Sequence, residues 1–362
     1  MANFNGQLKQ NEIFGAIYNM IISQQVFADN IAGIGDELVN RAKVDGGLYG
    51  DTKLYYATDA LKSAPWGKDA EAANLLALHR PDAPKCQPIT LDTFRQISLT
   101  VDNYLTKRAF STEGTFASFN AVMMGWIGET KRIYDATTYN AYIGTIETTK
   151  GKQEQEINVT TATQGLSGEE KARVEGATIA QGIADLMVDL KDIGRDFNDY
   201  GFLRSYKISD LMFVWNSKVL NKIEKRDLPT IYHDQIVDKL GEHVLPARYF
   251  GRVNTEATAA GNGIRSLIEQ DIVPTAGGAA KHVFAGDLIP TGCKAPAGTS
   301  YTEDPTIAFK VIHKRSVPYM SAFEVGTSFF NPKSLTENHY LTWGHNTLEY
   351  LENYPVITVR IK

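Results

Sequence analysis

The hydrophobic and polar positions of this chain divide it into helical, extended and weakly patterned stretches. From Asn11 to Val44, apolar residues recur at three- and four-residue steps: Ile13, Phe14, Ile17, Tyr18, Ile21, Ile22, Val26 and Phe27, then Ile31, Ile34, Leu38 and Val39. That spacing predicts an amphipathic helix, stopped by Asp45-Gly46-Gly47. Leu54 to Pro88 has little periodicity. It holds Tyr55, Tyr56 and Trp66, an alanine-rich patch from Ala70 to Ala77, and Pro65, Pro81, Pro84 and Pro88, and it reads as an extended excursion with one short helix. Ile97, Leu99 and Val101 then alternate with Ser98, Thr100 and Asp102, which predicts a strand.

A second long helix is predicted over Thr112–Tyr142, with Phe116, Phe119, Val122, Met123, Trp126, Ile127, Ile133 and Tyr134 on one broad face. The polar stretch Thr148–Thr163 reads as a loop or short exposed hairpin. Ser167-Gly168-Glu169-Glu170 has the form of a capping box. It opens a third helix whose apolar face is Ile179, Ile183, Leu186, Met187, Leu190 and Ile193, with Gly194 placed to end it. The unbroken apolar run Leu211–Trp215 predicts a strand buried on both faces, followed by short helices at Ser217–Lys225 and Asp234–Leu240. Glycine and alanine dominate Ala257–Ala280, as in flexible surface loops. Alternation returns at Ile307, Phe309 and Val311, and again at Ile357, Val359 and Ile361. The fold class is α+β, and the element order fits no simple sandwich, barrel or doubly wound sheet.

Composition narrows the partners. Of 362 residues 43% are hydrophobic and 22% charged, a balance that supports a packed core rather than disorder. Length alone argues for about two domains, or one with insertions. Lys+Arg number 37 and Asp+Glu 42, a net charge of −5, so there is no basic excess of the kind that grips nucleic acid through its phosphates. Two cysteines, Cys86 and Cys293, are too few for a disulfide framework. The N-terminal residues lack an export signal, and no apolar run approaches the ~18 residues of a membrane helix. The expectation is a soluble, unexported protein made in a cytoplasm.

Catalytic motifs fail on inspection. Gly33-Ile34-Gly35 continues to Leu38 where a dinucleotide fingerprint needs its third glycine, and it lies inside a helical pattern. His233 and His243 are ten residues apart, too far for one helical face. Gly165-Leu166-Ser167-Gly168 ends in Glu169, and Gly326-Thr327-Ser328 runs into Phe329-Phe330, so neither is a nucleophile elbow. No cofactor, metal site or catalytic residue is expected, and the protein is not expected to be an enzyme.

The order of several stretches resembles the major capsid proteins of tailed double-stranded DNA phages with the Hong Kong 97-type fold, most similar to those of small podoviruses and their relatives. The stretches are Ile97–Asp102 through Lys107–Ser111; Ile133–Gly144; Ile183–Asp192 leading to Phe197–Phe202; Trp215–Lys218, Asn221–Ile223 and Asp227–His233, ending at Arg248–Gly251; and Leu348–Arg360. The resemblance implies an N-terminal arm helix (1–45), an extended loop region with its returning strand (46–111) and a spine helix of a peripheral domain (112–148). It further implies an axial domain (149–300) and closing strands of the peripheral domain (301–362).

The function implied is a structural subunit that self-assembles into pentamers and hexamers of an icosahedral shell enclosing double-stranded DNA. Scaffold, portal and minor capsid proteins are further implied partners, with non-specific contact to the packaged DNA and no membrane. The location implied is the virion, after synthesis in the cytoplasm of a host bacterium. Two alternatives stand beside it: an encapsulin-type nanocompartment shell, against which the excursion at 46–90 speaks, and a soluble enzyme assembling distant residues such as His313, His339 and Glu324. The candidate subunit-interface residues are Phe14, Ile17, Tyr18 and Ile21, on an amphipathic stripe that could pack on a neighbour or equally on its own core, and Tyr55, Tyr56 and Trp66, because long unstructured excursions are uncommon in compact domains without a purpose. A slightly acidic wall would hold DNA by confinement rather than by adhesion.

Overall fold

In the computed structural model, which describes residues 35–47, 50–63, 78, 80–102, 113–148, 153–224 and 243–362, helix α1 (Glu37–Ala42) runs into β1 (Lys43–Asp45), β2 (Thr52–Ala57) and β3 (Lys85–Asp102). The long helix α2 (Glu113–Thr145) follows, then β4 (Glu154–Ile157), α3 (Val159–Ala162), α4 (Gly168–Lys191), β5 (Leu211–Asn216) and α5 (Ser217–Glu224). Eight short strands span the next part: β6 (His243–Leu245), β7 (Gly251–Val253), β8 (Thr258–Ala259), β9 (Ile264–Ser266), β10 (Gln270–Ile272), β11 (Lys281–Val283), β12 (Lys294–Ala295) and β13 (Ser300–Glu303). The chain closes with β14 (Ile307–His313), β15 (Tyr319–Asn331), β16 (Thr336–Asn346) and β17 (Val356–Ile361).

Two five-stranded sheets organise these elements, in the orders β4-β17-β14-β5-β6 and β1-β15-β16-β3-β2. The first is covered on both sides. Leu211, Phe213 and Trp215 of β5 share a core with Ile179, Ile183, Leu186, Met187 and Leu190 of α4 and with Val311 and Ile357. The alternate residues Met212 and Val214 pack with Tyr139, Ala141 and Ile143 of α2 and with Ile146 just beyond it. A strand with a helix on each face has no solvent side, which is why its sequence is apolar throughout.

Lys310 is fully buried in β14. Its ammonium donates to the Ile146 carbonyl just past the end of α2, where the helix dipole favours a cation. Gly144 lies beside Tyr249; a Cβ there would meet the Tyr249 carbonyl oxygen at 2.1 Å, so only glycine admits this approach.

Several expectations are revised. The helix at Asn11–Val44 gives way to β1 at Lys43, because Val44 pairs with Met320 in parallel register. Most of that stretch lies outside the described residues, as do the Ala70–Ala77 patch and the Asp234–Leu240 helix. The returning strand begins at Lys85 rather than Ile97, since β2 and β16 between them pair it along its length. Thr148–Thr163 contributes β4, paired in parallel with β17, and α3, capped by Asn158 Oδ1, which accepts from Thr161 N at 2.9 Å.

Ser167 stands at the start of α4 without a side-chain capping bond, and the first helical residue, Gly168, has φ +62°, outside the helical region that a capping box requires there. Helix α4 ends at Lys191, and Gly194 instead bridges Arg204, each amide donating to the other's carbonyl at 2.9 Å. Ala257–Ala280 holds β8, β9 and β10, and Ile272 packs with Val283, Ile289, Cys293 and Ala295 in a small core of their own. The alternation in β14 and β17 does not mark a wet face, because both strands lie inside the covered sheet and are buried almost throughout.

Candidate assembly interface

The second sheet leaves several large apolar side chains exposed. Its strands β15, β16 and β3 form a long antiparallel ribbon with Ser328, His339 and Leu99 in one row. At the base of the ribbon Trp343 and His345 are buried, and His345 Nε2 accepts from the Tyr134 hydroxyl at 2.7 Å, while its Nδ1–H donates to the Asn346 carbonyl at 2.8 Å. Burial holds the His345 pKa below its ordinary value. Farther out, β15 is exposed from Glu324 to Phe330, with Val325 at 39%, Phe329 at 63% and Phe330 at 48% of full exposure. A monomer gains nothing by showing aromatic side chains on a strand in this way.

The β2–β3 hairpin is the second such feature. Tyr55 is half-buried and Tyr56 is 65% exposed, beside Tyr200, Leu351 and Tyr354. Asp59, just beyond β2, latches the hairpin to the segment after α4. Its Oδ2 accepts from Arg195 at 2.6 Å and its Oδ1 from the Leu203 amide at 2.8 Å. These hydrogen bonds, the amide first, hold the carboxyl down at about 2. Arg204 donates to the Thr58 carbonyl at 2.6 Å, and Gln87 donates to the Tyr350 carbonyl at 2.9 Å. Of the sequence candidates, Tyr55 and Tyr56 thus lie together on this hairpin, while Phe14, Ile17, Tyr18, Ile21 and Trp66 lie outside the described residues.

The residues named for a scattered enzyme site are engaged separately. His313 stacks on Tyr354 with centroids 4.3 Å apart, and burial pulls its pKa down to about 4. His339 lies 3.7 Å from Glu337, and Glu324 lies 3.3 Å from Lys131. Among the described residues no group of three histidine, cysteine or acidic side chains is placed to hold a metal ion, and no helix is long and apolar enough to cross a membrane.

A cleft of about 550 Å³ between α3, α4 and the C-terminal strand is lined mainly by Val159, Leu166, Ile179, Val219 and Ile361, with Lys171, Glu175 and Lys362 at its rim. Nearby, buried Arg360 donates to Glu154 at 2.7 Å and also to Glu147 and Asp304. Burial lowers the Arg360 pKa, and the carboxylates raise it by more, so that the group stays charged. The three carboxylates pair the buried guanidinium within the subunit.

The chain matches the family model of the Phi29-like phage major capsid protein over residues 2–358. The chain belongs to that family. No curated protein matches it significantly by sequence. By shape it is similar to a chain of the capsid structure of Staphylococcus phage Andhra, with TM-score 0.60 at 11% identity, covering 91% of this chain and 85% of the other. It is equally similar to a chain from the structure of the head fiber and inner core protein gp22 of native bacteriophage P68, with TM-score 0.60 at 10% identity and coverage of 89% and 83%. At such identities the likeness is one of fold. The protein is a structural subunit of a phage capsid, a component of the virion that associates with copies of itself. Its exposed ribbon and hairpin are the kind of surfaces that such association covers.

Proposed function

We propose that the chain builds the shell in the Hong Kong 97-type manner, as pentamers and hexamers enclosing double-stranded DNA. In this reading residues 1–45 are the N-terminal arm, 46–111 the extended loop with its returning strand, 112–148 the spine helix, 149–300 the axial domain and 301–362 the closing strands. The axial domain shares the β4-β17-β14-β5-β6 sheet with two of those closing strands. Scaffold, portal and minor capsid proteins are its further partners, and its contact with DNA is non-specific.

The observation that carries this reading is the pairing of one sheet whose three central strands are buried almost throughout with a second that leaves aromatic side chains on an exposed ribbon and hairpin. The first makes a rigid subunit. The second has apolar surface whose burial is worth roughly 25 cal/mol per Å² once a neighbour covers it. Heterologous contacts made through the hairpin close into rings. The tyrosines Tyr55 and Tyr56 serve the ring contact, since tyrosine is enriched in protein interfaces.

Expression alone and with a scaffold, read by particle mass and electron microscopy, tests the reading. Closed shells with five- and six-fold rings are expected. A compact monomer at all concentrations, with and without scaffold, overturns it.

A further inference from the structure

Strand β15 has a long open edge. Strand β1 covers that edge only at Tyr319, Met320 and Ser321. The Gly46 amide donates to the Ser321 carbonyl at 3.1 Å, and the chain then turns away. Among the described residues nothing pairs with Ala322–Asn331 on the side away from β16.

Edges of this kind are ordinarily blunted by a charge, a proline or a bulge. The β15 edge has its register shift early, between Ala322 and Val325. Between Glu324 and Lys333 there is no charged residue, and Pro332 comes only at the turn. The stretch Val325–Phe330 is therefore uncharged, extended and exposed.

We propose that this edge docks a second copy of this chain by antiparallel pairing of β15 with itself, on a two-fold axis through Thr327. In that register the sequence is self-complementary. Val325 falls opposite Phe329 of the partner subunit, and Phe329 opposite the partner's Val325, on the same face of the ribbon. Such aromatic and β-branched cross-strand pairs stabilise sheets. Gly326 falls opposite the partner's Ser328, which adds no clash.

Charge is also satisfied. No like charges oppose each other, and Glu324 keeps its contact with Lys131 of its own subunit at 3.3 Å. Moving the axis by one residue, to Gly326 or Ser328, separates the two Val325–Phe329 pairs. The inference rests on the capsid reading and adds to it. Contacts within a ring are heterologous, whereas a two-fold contact is isologous, so the β15 edge joins one ring to the next.

Oxidative cross-linking tests it. Cys86 is exposed and free, so the background is Cys86→Ser, with buried Cys293 left in place. Thr327→Cys in that background is expected to give disulfide-linked dimers in most chains. Mixing subunits that carry Thr327→Cys with subunits that carry Ser98→Cys, on the far strand of the same ribbon, is expected to give no mixed dimer. A mixed dimer without the Thr327 homodimer overturns the two-fold and assigns the edge to β3 of a neighbour.

Thr327→Lys should leave free rings in place of shells, whereas Thr327→Val should assemble as the parent does. If shells form normally with Thr327→Lys and Thr327→Cys does not cross-link, the inference falls and the capsid reading stands. If no shells form under any condition, the capsid reading falls. Cross-linking of the concentrated free protein then decides the edge by itself, with absence of dimer overturning it.

Discussion

The Tyr319 hydroxyl donates to Asp135 Oδ1 at 2.6 Å, tying the first residue of β15 to the middle of α2. Asp135 also accepts from Lys131 one turn earlier at 3.1 Å, and all three side chains are buried. Burial and the Asp135 carboxylate push the Tyr319 phenol well above its ordinary value, so it remains a donor at any working pH. Tyr319→Phe removes one donor from a buried carboxylate and should cost about 1–3 kcal/mol. Asp135→Ala strips buried Lys131 of its helix partner and should cost about 3–5 kcal/mol. Urea midpoints measure both. A Tyr319→Phe midpoint equal to the parent's would show that the bond contributes nothing.

The Asp59 latch predicts a different phenotype, local rather than global. Asp59 joins the β2–β3 hairpin to Arg195 and to the Leu203 amide, and its side chain adds nothing to either sheet's core. Asp59→Ala should leave the thermal midpoint nearly unchanged while speeding protease cleavage and amide exchange within residues 52–63. Asp59→Asn can still accept from the Leu203 amide but loses the charge for Arg195, and should fall between the two. Equal exchange in all three proteins would mean that Gln87 and Arg204 hold the hairpin without it.

Acid should loosen the subunit through His313. Burial pulls this group down to about 4 from an ordinary 6.5, against the pull of Asp210, with Arg315 and Lys314 adding to the decrease. Between those values the unfolded chain binds a proton that the folded chain refuses. The contribution is present above pH 6.5 and is lost as pH falls towards 4. His345, lowered by burial at the base of the ribbon, acts in the same direction. His313→Phe keeps a ring against Tyr354 and removes the titration. Its stability should therefore fall less steeply than the parent's between pH 6.5 and 4.5. Parallel pH profiles for the two proteins would remove His313 from the account.

These relationships show what a pattern of residues carries and what it does not. Strand β5 is legible as a doubly covered strand because both its faces are apolar in sequence, from Leu211 to Trp215. Its neighbour β14 is not, because Lys310 stands where a solvent-facing residue would. The arrival of the α2 C-terminus supplies the buried lysine with a carbonyl partner there. The start of β3 is hidden by Pro84 and Pro88, and is fixed by pairing with strands far away in sequence.

Ser167 misleads because a capping box is a local signal, and Gly168 alters the local geometry. Of the interface candidates, Tyr55 and Tyr56 lie together on the hairpin, and the exposed ribbon residues Val325, Phe329 and Phe330 are not among the candidates. In sequence Gly326–Phe330 stands out only as a failed nucleophile motif. The signal that could have found it is the uncharged run between Glu324 and Lys333.

Lys310 should give the protein an unusual rise in stability towards alkaline pH. Burial holds its ammonium at about 7, although Glu147, Asp304 and Glu154 favour the charge and Arg360 opposes it. Between pH 7 and the ordinary 10.5 the unfolded lysine is protonated and the folded one largely is not. Stability from this group therefore rises with pH across that window, by at most about 1.4 kcal/mol per pH unit. The rise is lost as pH falls back to 7. Above pH 10 the buried tyrosines act the other way, since phenols held above their ordinary value by burial, Tyr139 and Tyr301 among them, stay protonated only when folded. A maximum between pH 9 and 10 follows for the parent chain. Lys310→Met, close in volume and without a proton to exchange, should give a flat profile from pH 7 to 9.5. It should also match or exceed the parent's stability at pH 7, because a desolvated lysine is replaced by an apolar side chain. Denaturant midpoints at half-unit pH intervals decide the matter: a parent profile already flat over that range would mean that Lys310 keeps its charge inside the sheet, held by the three carboxylates.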